Sequence, residues 1–297
     1  MTINLLLQNI ANGLSLGSLY SLIAIGYTMV YGILRLINFA HGEIFMLAPY
    51  FLYFGVLIFH LPWWASAIVA IGLTAFTGML SERIAYKPLR DAPRISALIS
   101  AIGVSFFLQN LSIVVFSGIP KSVHRPAFFT KIFQFGEIRI QSTLFASIGV
   151  SIIFLSLLIY IIYQTKTGLA MRAISRDIET SRLMGVGVNR AISVTFIIGS
   201  ALAAVGGILW SLRFPQIVPT MGIIPGLKAF IAAVVGGIGS IPGAMLGGFI
   251  LGMSEILFVT FFPAMSGYRD AFVFFILIII LLLKPDGILG TKVQEKV

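Results

Sequence analysis

MTINLLLQNIANGLSLGSLYSLIAIGYTMVYGIL, residues 1–34, carries no Asp, Glu, Lys or Arg. About 20 helical residues cross the hydrocarbon core of a bilayer, so this run alone holds a complete crossing. Four further charge-free runs follow: Ile44–Ser81, Ile95–Pro120, Ile140–Thr165 and Ala229–Ser254. The first of these is long enough for two crossings, folded at Leu61-Pro62-Trp63-Trp64, where paired tryptophans suit the lipid–water interface. The runs are continuously apolar, without the alternation that a membrane barrel needs. In hydrocarbon every backbone N–H and C=O must find an internal partner. Only helices remain. The expected fold is all-α, a polytopic transmembrane helical bundle of about 8–10 helices, some of them broken.

Composition agrees. Of 297 residues, 58% are hydrophobic and 10% charged, against about 25% charged in soluble domains. So few charges could not cover a soluble globule. The net charge of +10 belongs to loops at one membrane face and gives no reason to expect a nucleic-acid partner. The absence of cysteine excludes disulfides, thiol catalysis and cysteine–metal sites. His41, His60 and His124 are too scattered for a metal motif. The first residues lack the basic flank and cleavage site of a secretory signal and read as the lead into a retained helix.

Apolar segments fall near 8–34, 44–60, 63–83, 95–116, 143–163, 191–212, 222–240, 243–262 and 268–284. The last has a charge-free core of only 13 residues, Ala271–Leu283, so Arg269 and Lys284 are expected to snorkel toward opposite interfaces. Alternate connections then differ in charge. One set holds Arg35, Arg83, Lys87, Arg90, Arg94, Lys166, Arg172, Arg176, Arg182, Arg190, Lys284, Lys292 and Lys296. The other holds Lys121, Arg125, Lys131, Arg139, Arg213, Lys228 and Arg269. The richer set faces the cytoplasm by the positive-inside rule. This places the C-terminus inside and, with nine crossings, the N-terminus outside. No separate soluble domain fits, and 1–297 reads as a single transmembrane domain.

Segment 164–190, QTKTGLAMRAISRDIETSRLMGVGVNR, is a cytoplasmic connection long enough to be functional. Its middle can form an amphipathic helix, with Ala173, Ile174, Ile178, Leu183 and Met184 among Arg172, Arg176, Asp177, Glu179 and Arg182. Gly185 and Gly187 suit its end. It is either a solvated connector or a docking helix for a cytoplasmic partner. Gly236, Gly237, Gly239, Ser240, Pro242 and Gly243 interrupt an apolar region, through close helix packing, a pathway border, or a one-turn hairpin. Asn38, His41 and Glu43 cluster with Arg35 at the first helix junction, as a polar gate, a rigid joint or an interfacial turn. Glu255 is deep in an apolar segment, either structural or on a pathway. Gln109 and Asn110 read as interhelical hydrogen-bonding groups. There is no G-x-x-x-x-G-K-[ST] phosphate loop, so any ATP hydrolysis belongs to another polypeptide.

GLSLGSLYSLIAIGYTMVYGILRLINFAHGEIFMLAPY (13–50), LISAIGVSFFLQN (98–110), GLKAFIAAVVGGIGSIPGAMLGGFILGMSE (226–255) and KPDGILG (284–290) together resemble the branched-chain (hydrophobic) amino-acid ABC importer permease family, and within it the LivH-type subunit. INFAHGE and GGIGSIPGA are the specific signals. ABC-importer permeases also carry a Glu-Ala-Ala, three residues, Gly pattern that seats in an ATPase subunit. Glu179-Thr180-Ser181 followed by Gly185 keeps that spacing, with Thr-Ser for Ala-Ala and no Ile-x-Leu-Pro downstream. The resemblance implies a multi-pass bacterial inner-membrane permease without catalytic activity, coupled through 164–190. Its implied partners are a second related permease, two cytoplasmic ATPase subunits that bind ATP and magnesium, a periplasmic or extracellular amino-acid-binding protein, and lipid. The competing expectations are a stand-alone secondary transporter or channel and a membrane-embedded enzyme. For the enzyme, no histidine is placed to activate a nucleophile.

Overall fold

A computed structural model describes residues 3–290 apart from Asp91 and Glu137; Lys292 and Lys296 of the charge tally lie outside the described residues. The helices are α1 (Ile3–Leu34), α2 (His41–Leu57), α3 (Trp63–Ser81), α4 (Arg94–Phe116), α5 (Ala127–Thr130), α6 (Ser142–Gln164), α7 (Lys166–Arg176), α8 (Ile178–Leu183), α9 (Val188–Arg213), α10 (Ile223–Gly236), α11 (Ile241–Phe261) and α12 (Arg269–Leu283). Helix α3 continues through a π turn, Glu82–Tyr86, and a 3-10 turn, Lys87–Leu89. Among the described residues seven helical segments are long and apolar enough to cross a membrane. The apolar segments expected at 44–60 and 222–240 are instead the short helices α2 and α10, of 17 and 14 residues.

These two are short because the chain folds back before starting them. After α1 the chain turns inward, and His41 packs on Tyr27 with ring centroids 4.5 Å apart. Tyr27 lies seven residues before the end of α1, about 10 Å into the bundle. After α9 the segment 214–222 does the same, bringing Gly222 against Gly42. Thus α1–α4 and α9–α12 repeat one plan: a long helix, a return into the bundle, a half-helix, a long helix and a peripheral helix. They run in opposite senses, the inverted arrangement in which equivalent residues meet near a shared axis. A Cβ on Gly26 would lie 2.9 Å from the Gly199 carbonyl, and one on Gly199 would lie 3.3 Å from that of Gly26. The same 173-residue offset relates Gly26 to Gly199, Tyr20 to Ser193 and Glu82 to Glu255.

Helix α1 is the centre of the bundle, buried almost continuously from Leu16 to Val30. Its antiparallel packing on α11 depends on small residues, with Gly13 under Met253, Gly17 against Phe249 and Gly252, and Ser21 against Gly248. Without a hydrophobic driving force between helices in lipid, close backbone approach supplies the dispersion energy.

One end of the bundle gathers Arg35, α3's extension, α7, α8 and the turn between α10 and α11. There Ile288 and Leu289 donate their N–H groups to the Val235 and Gly236 carbonyls at 2.9 and 2.8 Å, closing the carboxyl end of α10. The opposite end carries β1 (Lys121–Ser122) paired with β4 (Gln216–Ile217), and a hairpin of β2 (Ile132–Phe135) and β3 (Ile138–Gln141).

Two buried carboxylates bind the helices together. Glu82 accepts from Ser193 at 2.8 Å and pairs with Arg90. Glu255 accepts from Tyr20 at 3.0 Å and pairs with Lys228 at 2.9 Å and Arg269 at 3.0 Å. Lys228 also pairs with Asp270 at 2.7 Å. One expectation is corrected here. Lys228 is not a loop residue but sits inside α10, 2% exposed, while Arg269 stays half exposed as it pairs with Glu255. A charge in low dielectric draws its opposites to it.

Lys228→Met should therefore lower stability by about 3–5 kcal/mol, because it strips Glu255 of a buried partner, while Lys228→Met/Glu255→Gln should recover much of the loss. Thermal unfolding of the solubilised protein reads both. Gly248→Val, which would strike the Ser21 backbone, should cost about 1–3 kcal/mol or more. Gly72→Val, with nothing near its Cβ, should be close to neutral in the same assay.

Candidate functional site

The two inward returns determine the site. Arg35 turns the chain with φ +51, and the Tyr86 hydroxyl donates to Asn38 Oδ1 at 2.6 Å. This ties the loop to the α3 extension. Helix α2 then begins at His41 and Gly42, with Glu43 in its first turn. Opposite, Gly222 and Gly226 pack against Gly42, so α10 begins where α2 begins. Two helix amino termini, each the positive end of its dipole, converge inside the bundle.

A cavity of about 270 Å³ opens beside this meeting point. Tyr27, Gly42, Glu43, Gly222 and Gly226 form its floor. Ile102 and Phe106 of α4 form one wall, and Ile223, Leu227 and Phe230 of α10 the other. Ser105 and Gln109, one turn apart on α4, add the remaining polar groups. The α4 wall is open on its far side, with Phe106 61% exposed, so the cavity is an open groove and not a closed chamber.

The sequence candidates divide among three places. Asn38, His41 and Glu43 come together at the joint, but only Glu43 lines the cavity; Asn38 and His41 are packed behind it. Gly236, Gly237, Gly239, Ser240, Pro242 and Gly243 form the turn between α10 and α11, away from the groove. Gly237 and Gly239 take φ of +110 and +92, and the Ser240 hydroxyl caps α11 by accepting from Gly243 N at 3.2 Å. Gly236 and Gly243 touch through their backbones. The turn borders a second cavity with Gly32, Met171, Arg172 and Ser175. Glu255 is in the ion-pair cluster and does not line the groove.

Segment 164–190 is two helices rather than one. Thr165 caps α7, and Asp177 ends it in an extended conformation and caps α8, accepting from Thr180 N at 3.0 Å. An Asp at that point competes for the backbone and starts a new helix. Met171 and Ile174 are buried, and the Arg172 guanidinium lies over the Tyr163 ring at 5.3 Å. Arg176, Glu179, Arg182 and Gly185 are exposed, as are Leu183 at 87% and Met184 at 80%. Gly185 has φ +81. Beside α8, Lys87, Arg90, Arg182 and Arg190 line a basic cleft of about 680 Å³.

Sequence reading missed Tyr27, Ser105 and Phe230 as site residues and assigned Gln109 to structure. The available signal was the stripe Ile102, Ser105, Phe106 and Gln109, one face of a single helix. Asn110, on another face, bonds its own helix at Phe106 O.

The chain matches the family described as "Branched-chain amino acid transport system / permease component" over residues 9–281. It is 41% identical to the high-affinity branched-chain amino acid transport system permease protein BraD of Pseudomonas aeruginosa, covering 98% of each chain. It is 42% identical to the LivH permease protein of the corresponding system in Escherichia coli K12, over 98% of this chain and 97% of the relative. Identity to the probable LivH permease protein of Methanocaldococcus jannaschii is 30%, over 92% and 89%. With seven apolar spans, a bundle built on α1 and the match covering nearly its whole length, this chain belongs to the branched-chain amino acid transport permease family.

Proposed function

We propose that this chain is one half of the membrane pathway of an ATP-driven importer for branched-chain or related hydrophobic amino acids. The observation that carries the reading is the groove between α4 and α10, apolar, floored by two converging half-helices and open on one side. A second related permease closes that side and completes the pathway. Relatives at 41–42% identity named for this transport system support the solute class. No observation favours a stand-alone transporter or channel.

The end that gathers Arg35, Arg83, Lys87, Arg90 and the 164–190 segment faces the cytoplasm of a bacterial inner membrane by the positive-inside rule. Segment 164–190 is then the coupling element, and residues 1–297 form one permease domain. Leu183 and Met184, large apolar side chains held out on a six-residue helix, suit a groove on an ATPase subunit. Arg182 and Arg190 beside them suit its acidic rim. Two such subunits hold ATP and magnesium, and this chain performs no catalysis. The end bearing β1 and β4 receives an amino-acid-binding protein from outside the cell.

Leu183→Asp/Met184→Asp should leave insertion intact, remove the ATPase subunits from the purified complex and reduce leucine uptake to background. Normal co-purification and uptake would defeat the coupling assignment. A cysteine at Leu183 should react with an impermeant maleimide only from the cytoplasmic side, in inverted vesicles and not in intact cells.

A further inference from the structure

We propose that Glu43 recognises the ammonium group of the solute as it passes through the groove, the apolar side chain of the same solute lying on Ile102, Phe106 and Leu227. This rests on the functional reading above and assigns a residue to it.

Four observations carry the assignment. The first is the isolation of the charge. Glu82, Glu255 and Asp270 each have an Arg or Lys partner. Among the described residues Glu43 has no cation in ion-pair range, although it is only 5% exposed. An ionisable group held in a membrane bundle without a counter-charge marks a pathway for charged solute.

The second is placement. Glu43 lines the cavity, with Ser105 facing it as a hydrogen-bond partner and Gln109 on the same wall. A few convergent polar groups in an apolar cavity just under the usual ~300–1,000 Å³ range suit a single small ligand.

The third is asymmetry between the half-helices. Gly42 and Gly222 meet at the amino ends of α2 and α10, and beside them the cavity is lined by Glu43 from α2 and by Ile223 from α10. The amino end of α10 packs here without an acid.

The fourth is complementarity. The first turn of α10, at Gly222 and Ile223, lines the same cavity. Its positive dipole end suits a solute carboxylate while Glu43 holds the ammonium.

The chain has no cysteine, which makes the test direct. In the assembled transporter, Phe106→Cys places a thiol on the exposed wall of the cavity, and its rate of maleimide labelling is followed on this chain. Leucine and isoamylamine, which keeps the ammonium and loses the carboxylate, should slow labelling; isocaproate, which lacks the ammonium, should not. Adding Glu43→Gln should abolish protection by both amines, and Glu43→Asp should retain part of it. Glu43→Gln alone should lower leucine uptake by roughly ten- to a hundredfold, as expected for a lost charge-assisted hydrogen bond. ATPase activity stimulated by the binding protein should persist.

Protection by isocaproate equal to that by isoamylamine would overturn the proposal. So would absence of protection by any of the three, or protection that survives Glu43→Gln in a variant that assembles normally. The functional reading is judged separately, on leucine uptake by the unmodified assembly. If that uptake is present while the labelling pattern fails, only the Glu43 assignment falls; if it is absent, the functional reading itself fails.

Discussion

The fold depends on the contact between Gly42 and Gly222. Two helices can begin inside a membrane bundle only if their backbones come close enough to exclude lipid, because an unpaired N–H or C=O costs several kcal/mol in hydrocarbon. At both positions an added Cβ would strike the opposite carbonyl, so no larger residue permits the approach. Gly26 and Gly199 make the corresponding contact one layer away, where α1 crosses α9. Once these two glycine pairs are in place, the half-helices, their returns and the cavity beside them follow. At the second contact the inverted repeat sets Gly26 against its own equivalent, Gly199, and at the first Gly226 joins Gly222 against Gly42.

Around this centre the buried charges brace the outer helices. Glu82 holds the extension of α3 to α9 through Ser193, and Glu255 holds α11 to α1 through Tyr20 and to α10 through Lys228. Each is a carboxylate whose hydrogen-bonding capacity is met by more than one partner, the condition under which a buried ion is tolerated. The two clusters occupy equivalent places but differ in composition. Glu82 has one cation, whereas Glu255 and Asp270 share two.

Much of this was legible in the sequence. The charge-free runs determined the helical class, and the glycines of GGIGSIPGA implied close packing, a pathway border or a hairpin; the structure has a tight turn with close backbone contact between Gly236 and Gly243. The half-helices were not legible. An apolar run of 17 residues such as His41–Leu57 looks the same whether it spans a bilayer or begins within it, because hydropathy reports the environment and not the starting depth. Lys228 was misassigned for a related reason. Beside Pro225 and Gly226 it reads as a loop cation, and only Glu255 and Asp270, distant in sequence, make its burial possible. Asp177 could have been read correctly, since an Asp three residues before Thr180 N is a helix cap as much as a solvated charge.

Helix α10 links the glycine turn to the wall of the groove. Its carboxyl end is the glycine turn, bordering the same cavity as Arg172 and Ser175 of α7, and its amino end is the wall of the groove. Between them are 14 residues of regular helix, about 21 Å of rigid element. Lys228 sits near its amino end, pinned by Glu255 and Asp270. No loop interrupts α10 between the glycine turn and Ile223 and Leu227, and on the way Lys228 ties it to α11 and α12 through Glu255 and Asp270, so the position of α10 against α4 sets the width of the groove.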